Sequence, residues 1–529
     1  MMNQCDSNAL EYDYIIIGTG PAGAVLAKTL SDNYENSVLV LEAGDNNSDD
    51  PRIIDPRSEP LRYLPEFFWP GRTAEQTNAD DKIAPWTTGR LLGGASAVNG
   101  MQYVRPTVNV LREWETLLGP AWSVDQSLDY YKQLENFIGY TDDPGVHGYG
   151  GPINIRQTLT EAPPVTQKLV RAIEQATGYP VISDYNDPNT PLGPFLRWQL
   201  YQQPNGARES SATAFLSADI MTPEGDGVNG RNLKLLLRTT ALRIMINDDR
   251  EAYGVQFLRE GYCQCAYARK KIIISAGINS SQLLMLSGIG PADLLQASGN
   301  PVVYDNPNVG ENLVNHILNT VLFSMNQDDP YDLGDDPYAL YQGGAFLPLP
   351  NDGPNRGIQL IGHVQGDILA LLVLTLFPES RGRITIQNND PLKQVDPDEN
   401  LLSNALDILN IMNIFRTYVV PIADALSAID PAYQLVSPSR DIINNDEQLV
   451  SFIQANTELT FHEQSFNRMA AREQDGVADA YGRVFGVKNL IVADTSAIPY
   501  TVDGNNSAAV YLIGYTIANQ LLTEDAGWM

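Results

Sequence analysis

The tightest constraint in this sequence is a glycine turn close to its start. Residues Asp13–Gly44 read strand, turn, helix, strand: the apolar run Tyr14–Ile17, then Gly18, Gly20 and Gly23 in GxGxxG spacing, a helical stretch, and a second apolar run that ends at Glu42. Glycines at this spacing permit a sharp reversal, close approach of a pyrophosphate to the backbone, and tight packing of helix on strand. The first amides of the helix then face the diphosphate, and a carboxylate at Glu42 accepts hydrogen bonds from a ribose diol. The pattern predicts a βαβ unit that binds a dinucleotide. It leaves NAD and FAD equally open.

Composition narrows the partners. With 529 residues the chain is long enough for two domains with separate cores. Its 34 Lys+Arg against 64 Asp+Glu give a net charge of −30, a field that repels phosphate backbones and anionic headgroups, so nucleic acid and membrane surfaces are excluded as expected partners. Met1–Tyr12 holds no basic segment followed by an apolar core, so no secretion signal is expected. The most apolar stretch, Ile368–Phe377, spans about half of the roughly 20 residues that cross a bilayer, and it reads as a buried strand with no membrane span expected. Cys263 and Cys265 fall on one face of a strand, the wrong geometry for a mutual disulfide. Three cysteines and four histidines suggest a reducing cytoplasmic setting and no metal site.

Further short strand-like runs at Leu233–Leu237, Ala252–Phe257, Lys271–Ile274 and Leu490–Val492 point to one sheet assembled from distant pieces of sequence. Between them, Pro152–Gln202 and Ile317–Asn467 differ in character. The second carries an alternating strand pattern at Gly382–Gln387 and a long helical pattern around Ala405–Val420. A second domain inserted twice into the first explains this layout. The polar segment Gln327–Pro354 reads as a solvated excursion rather than a lid, although Tyr331, Tyr338, Tyr341 and Phe346 are the aromatic residues a lid over an aryl or allylic alcohol would use.

Several blocks together resemble one family. GTGPAGAVLA, LEAG, the glycine-rich Gly89–Pro106, HGYGGP at His147–Pro152, SSQLLMLSGIGP at Ser280–Pro291, VGENLVNH at Val309–His316 and Tyr481–Pro499 with the following GNNSAAVYLIGYTIANQL run nearly end to end. The chain resembles the glucose–methanol–choline oxidoreductases, FAD-dependent alcohol oxidases and dehydrogenases. The resemblance implies an α/β with α+β architecture, in which a Rossmann-like FAD-binding domain carries a substrate domain built on a six-stranded antiparallel sheet and helices. The expected FAD-binding parts are residues 1–155, 206–312 and 476–529, and the substrate parts 156–205 and 313–475.

The resemblance also implies the cofactor contacts. Gly18, Gly20 and Gly23 are expected at the diphosphate and Glu42 at the ribose, and Ala43, Arg90 and Leu242 are expected among the cofactor-binding residues. Gly93, Gly94, Asn99, Gly100 and Met101 are expected against the flavin, and Asp494, Asn506 and Ser507 complete the set. Some members attach FAD through a histidine in the Gly89–Pro106 loop. The residue before Asn99 is Val98, which implies noncovalent FAD.

Alcohol oxidation on a flavin needs an acceptor for the hydroxyl proton and a group that holds the developing alkoxide. By resemblance the base is His462, opening HEQSFNRM, and the second catalytic position is Asn505, an amide that orients a hydroxyl but takes no proton. His147, His316 and His363 read as structural. Three departures mark this chain: Ser465–Phe466 replaces Gly-Thr, Ala470 replaces glycine, and Ser281 stands where proline is common. Phe466 is therefore expected near the flavin. The expected activity is oxidation of a primary alcohol, with oxygen or another acceptor taking the electrons. A redox-neutral hydroxynitrile lyase, a flavin photoenzyme acting on a carboxylic acid and a nonenzymatic flavoprotein are the rivals.

Overall fold

Val38–Leu41 is buried on every residue, as a strand covered on both faces must be. It lies parallel to Leu10–Ile17 on one side and to Leu233–Leu236 on the other. Leu10–Ile17 in turn pairs parallel with the long strand Tyr262–Ile274. The first half of that strand continues antiparallel into Ala252–Arg259 and then Thr239–Ile246, while its last residues pair parallel with Leu490–Val492. The result is one seven-stranded mixed sheet whose parallel part carries the glycine turn that follows Leu10–Ile17. The computed structural model describes residues 10–58, 64–85, 88–157, 161–329, 341–351 and 353–527.

A second sheet is antiparallel. Its order runs Gly193–Phe195, Gly344–Leu347, Ile358–Gln365, Ile368–Thr375 and Ile317–Ser324. The outer edge of Ile317–Ser324 is shared end to end by two short strands, Thr457–Leu459 against Ile317–Asn319 and Leu435–Ser437 against Leu322–Phe323. Seven strands thus occupy six positions across the sheet.

One face of this sheet is covered by the helix Ala405–Ile429, whose buried residues Ile411, Phe415, Val419, Ile422 and Leu426 join the core with the helix Pro164–Thr177. Among the described residues this 25-residue helix is the one long and apolar enough to cross a membrane by length and composition, and it lies outside Ile368–Phe377, the stretch that reads as most apolar. Its packing against the sheet accounts for the apolar face.

Two local readings also change. Gly382–Gln387 forms only the two-residue strand Gly382–Arg383, and the alternation beyond it reflects burial of Ile384 and Ile386 in an extended chain rather than a ladder. Within Gln327–Pro354, Gly344–Leu347 is a fully buried strand, so part of the supposed excursion is core. Tyr331 and Tyr338 lie outside the described residues. Cys263 is free and Cys265 is disulfide-bonded, so the two do not pair with each other.

Candidate active site

One cavity of roughly 680 Å³ runs between the two sheets, from Glu42 and Ala43 at one end to Leu318, Ile361, Leu372 and Leu374 at the other. The glycine turn forms its first wall. Gly18 has φ +100°, and a Cβ there would sit 2.3 Å from the carbonyl oxygen of Ser275, while a Cβ on Gly23 would sit 2.2 Å from that of Gly18. Those two glycines close the turn on its neighbours. Gly20 faces open space instead, and no side chain caps the helix Pro21–Asp32 that follows it, so the helix N-terminus is left for an anion.

Glu42 is buried and held in place. Its Oε2 accepts from the amide and hydroxyl of Thr19 at 3.1 and 2.5 Å, and its Oε1 accepts from the amide of Gly44 at 2.8 Å. Burial pushes its carboxyl above the ordinary range, against these hydrogen bonds and the charge of Arg90. Oε1, which accepts only once, keeps a lone pair for a ribose hydroxyl.

In the middle of the cavity, Gly94, Asn99, Gly100, Met101, Asp494, Asn506 and Ser507 all line the wall. Asn99 Oδ1 accepts from the Met101 amide at 3.0 Å, which turns the loop at Met101, where φ is +63°. Asp494 Oδ2 takes the Gly277 amide at 3.0 Å and the Ser280 hydroxyl at 2.5 Å, fixing the segment after the strand Tyr262–Ile274 against the cavity. The helix Ser507–Asp525 starts here with no side-chain cap, so its N-terminus adds a second positive end facing the cavity. This glycine-lined cradle, with a carboxylate at one end and two helix N-termini along it, fits an elongated dinucleotide.

Four expected contacts lie behind the wall. Gly23 packs against Gly18, and the Gly93 amide donates to Thr19 Oγ1 at 3.0 Å. The Arg90 guanidinium stacks 4.8 Å above the ring of Trp69, and Trp69 lines the cavity in its place. Leu242 is buried in its strand, while Thr239, Thr240 and Ala241 reach the cavity. Phe466 is also corrected: it is fully buried in the core away from the cavity, and Phe461 stands in the wall.

At the apolar end, His462 and Asn505 meet. Asn505 Nδ2 lies 3.0 Å from His462 Nε2. His462 is backed by His316, their Nδ1 atoms 3.0 Å apart, and His316 Nε2 lies 2.9 Å from the carbonyl oxygen of Val502. A carbonyl only accepts, so His316 carries its proton on Nε2 and offers Nδ1 as a lone pair. His462 must then donate from Nδ1, which leaves its Nε2 bare toward Asn505. Burial pulls His316 down to about 4 and holds His462 well below the ordinary histidine range, with His316 adding to the second effect. Both rings are neutral at pH 7.

Asn505 is fixed on two more sides: its Nδ2 donates to Gln102 Oε1 at 3.0 Å, and its Oδ1 accepts from Gln359 Nε2 at 3.0 Å. Neither glutamine is marked by local pattern, and His316 reads from sequence only as structural. Tyr341 also lines the cavity, its hydroxyl donating to the carbonyl of Gly100 at 3.1 Å, whereas Phe346 is buried in its strand beneath Arg356. His147 sits in a separate buried cluster with Glu135 and Asp184, and His363 is 6.5 Å from the Tyr341 ring and off the cavity wall.

The GMC oxidoreductase family models match residues 12–318 and 378–514. The chain is similar to an uncharacterized GMC-type oxidoreductase of Mycobacterium bovis, 31% identical over 96% of this chain and 98% of that protein. It is also similar to the oxygen-dependent choline dehydrogenase of Vibrio vulnificus, 29% identical over 97% of this chain and 94% of that protein. Among solved structures, pyridoxine 4-oxidase from Mesorbium loti matches with a TM-score of 0.85 at 25% identity, covering 96% of this chain and 99% of that one.

Proposed function

This chain belongs to the GMC oxidoreductases, FAD-binding oxidoreductases, and from that premise we propose that it oxidises the CH–OH group of a neutral primary alcohol to an aldehyde with FAD held noncovalently. The observation that carries the reading is the bare Nε2 of His462 set 3.0 Å from the amide of Asn505 at the apolar end of the cavity.

FAD, when bound, supplies the hydride acceptor. A substrate hydroxyl that enters between His462 and Asn505 takes on its oxygen the N–H that Asn505 otherwise gives to His462, and passes its own proton to the Nε2 so released. Because burial keeps His462 neutral at pH 7, the proton-accepting form is the resting form. Once Nε2 is protonated, Nδ1–H still donates to His316, so the ring keeps its orientation through the transfer. Leu318, Ile361, Leu372 and Leu374 provide a wall for an aryl or other apolar body and keep water from the hydroxyl end. Electrons leave for oxygen or another acceptor.

No lysine or arginine is found among the described residues lining the cavity, whereas Glu458 and Glu463 are. That favours a neutral substrate over a carboxylate and weighs against the carboxylic-acid photoenzyme. Val98 lines the cavity with a side chain that cannot bond to the cofactor, which supports noncovalent attachment.

The test is anaerobic mixing of the holoenzyme with a panel of primary alcohols while flavin absorbance is followed. Bleaching is expected, slowed about 10²- to 10⁴-fold in His462→Ala. A flavin that stays yellow with every alcohol sinks the proposal, and aldehyde release from a hydroxynitrile without bleaching assigns the lyase instead.

A further inference from the structure

We infer that Gln359 is a positioning residue for the reaction: by pairing with Oδ1 it helps hold the Asn505 amide in the orientation that turns an N–H, and not a carbonyl oxygen, toward the substrate hydroxyl beside His462.

An asparagine amide offers a donor on one side and an acceptor on the other, and the two orientations have the same shape. Here one orientation is imposed from outside. The Val502 carbonyl places the proton of His316 on Nε2, which makes His462 Nδ1 a donor and its Nε2 an acceptor. The atom of Asn505 that lies 3.0 Å from that Nε2 must therefore be nitrogen. Its other N–H meets Gln102 Oε1, and its oxygen is left facing Gln359. At that position only a donor is compatible, and Gln359 Nε2 supplies it at 3.0 Å.

Gln359 has no other visible use for its polar group. It is fully buried on the strand Ile358–Gln365, it does not line the cavity, and its Oε1 has no hydrogen-bond partner. A buried, unpaired acceptor is costly, and an apolar side chain would pack there without that cost. The one side-chain hydrogen bond it makes is the N–H given to Asn505 Oδ1. Without that donor the orientation rests only on the two acceptors at Nδ2, His462 Nε2 and Gln102 Oε1, and the unpaired Oδ1 lowers the cost of turning the amide round. It would then present its oxygen to the hydroxyl, compete with His462 for the proton and withdraw the N–H that steadies the developing alkoxide.

This inference rests on the reading of His462 and Asn505 as the catalytic pair, and a double-mutant cycle tests it on the holoenzyme. Gln359→Met keeps the length of the side chain, removes both polar atoms and is checked for an unchanged melting temperature and flavin content. The expected result is that Gln359→Met slows alcohol-driven flavin bleaching about tenfold in the otherwise native enzyme, yet adds nothing once Asn505 is replaced by alanine, because the effect acts only through that amide. Equal slowing in both backgrounds overturns the inference, as does no slowing in the native one.

The same cycle is measured on binding of 2-phenylpropan-2-ol, a tertiary alcohol with no hydrogen to transfer, by its perturbation of the flavin spectrum. Loss of affinity is expected in Gln359→Met and not in the Asn505→Ala background, and an additive cycle overturns the inference here too. If no alcohol bleaches the native flavin, the proposed oxidation fails while the binding cycle still decides the role of Gln359. For the same reason Gln359→Glu is expected to show an added loss of activity as pH rises, since the carboxylic acid donates to Asn505 Oδ1 and the carboxylate repels it. A profile parallel to that of the native enzyme contradicts this.

Discussion

The Nδ1 atoms of His316 and His462 lie 3.0 Å apart and share a single proton, carried by His462. This contact sits between a carbonyl that accepts from His316 and an amide that donates to His462, so the tautomer of the proposed base is settled several groups away from the cavity.

Replacing His316 with alanine removes that lock. We expect flavin reduction by alcohol to slow by roughly tenfold or more, because a fraction of His462 then carries its proton on Nε2 and cannot act as base. The acid limb of the rate should also move to higher pH. Activity needs neutral His462, and both burial and His316 hold its proton affinity down, so relieving either raises the pH at which the base is lost. A stopped-flow pH series on the two proteins decides this.

Stability should carry the signature of the same histidine. The unfolded residue titrates near 6.5, whereas burial holds it at about 4 in the fold, so the unfolded state takes up its proton first as pH falls. The contribution is fully present above pH 6.5 and is lost between 6.5 and about 4, amounting to roughly 3 kcal/mol. Urea unfolding of the native protein and of His316→Gln at pH 7.5 and pH 5 should show the gap between them shift against the native protein at the lower pH.

The two glycines at the head of the turn should fail differently. Gly18→Ala places a Cβ 2.3 Å from the Ser275 carbonyl oxygen at a φ of +100°, so it should lower stability by about 1–3 kcal/mol and lose flavin as well. Gly20→Ala meets nothing within 4 Å of its Cβ, so it should unfold like the native protein but purify with less flavin, because the methyl group stands where the diphosphate is expected. Flavin-to-protein absorbance ratio and melting temperature, measured together, separate the two.

Noncovalent attachment is checked by denaturation. Acid precipitation of the holoenzyme should leave the yellow colour in the supernatant, since Val98 stands where a linking histidine is expected. Colour retained in the pellet rejects that assignment.

The nucleotide end was legible because its information is local. Gly18, Gly20 and Gly23 lie within six consecutive residues between a strand and a helix, and Glu42 follows at the end of the next strand, so spacing alone places them together. Resemblance to a family identified His462 and Asn505 in the same way, through short motifs. Misreadings came where context is distant. Phe466 follows the base closely in sequence yet points into the core, while Phe461, just before it, reaches the cavity. Leu242 is buried in the strand Thr239–Ile246, and it is Thr239–Ala241 that lines the cavity.

By itself the sequence determined a βαβ unit with a dinucleotide-type glycine turn, and by resemblance it pointed to His462 and Asn505, which the structure brings within 3.0 Å of each other. Only the tertiary structure decided how that pair is polarised. His316, Gln359, His462 and Asn505 come from separate segments of the chain, and neither His316 nor Gln359 carries a local signal that it will touch the other two. Whether a ring nitrogen or an amide atom donates or accepts depends on which partner faces it in space, and folding alone brings those partners within a hydrogen bond of one another.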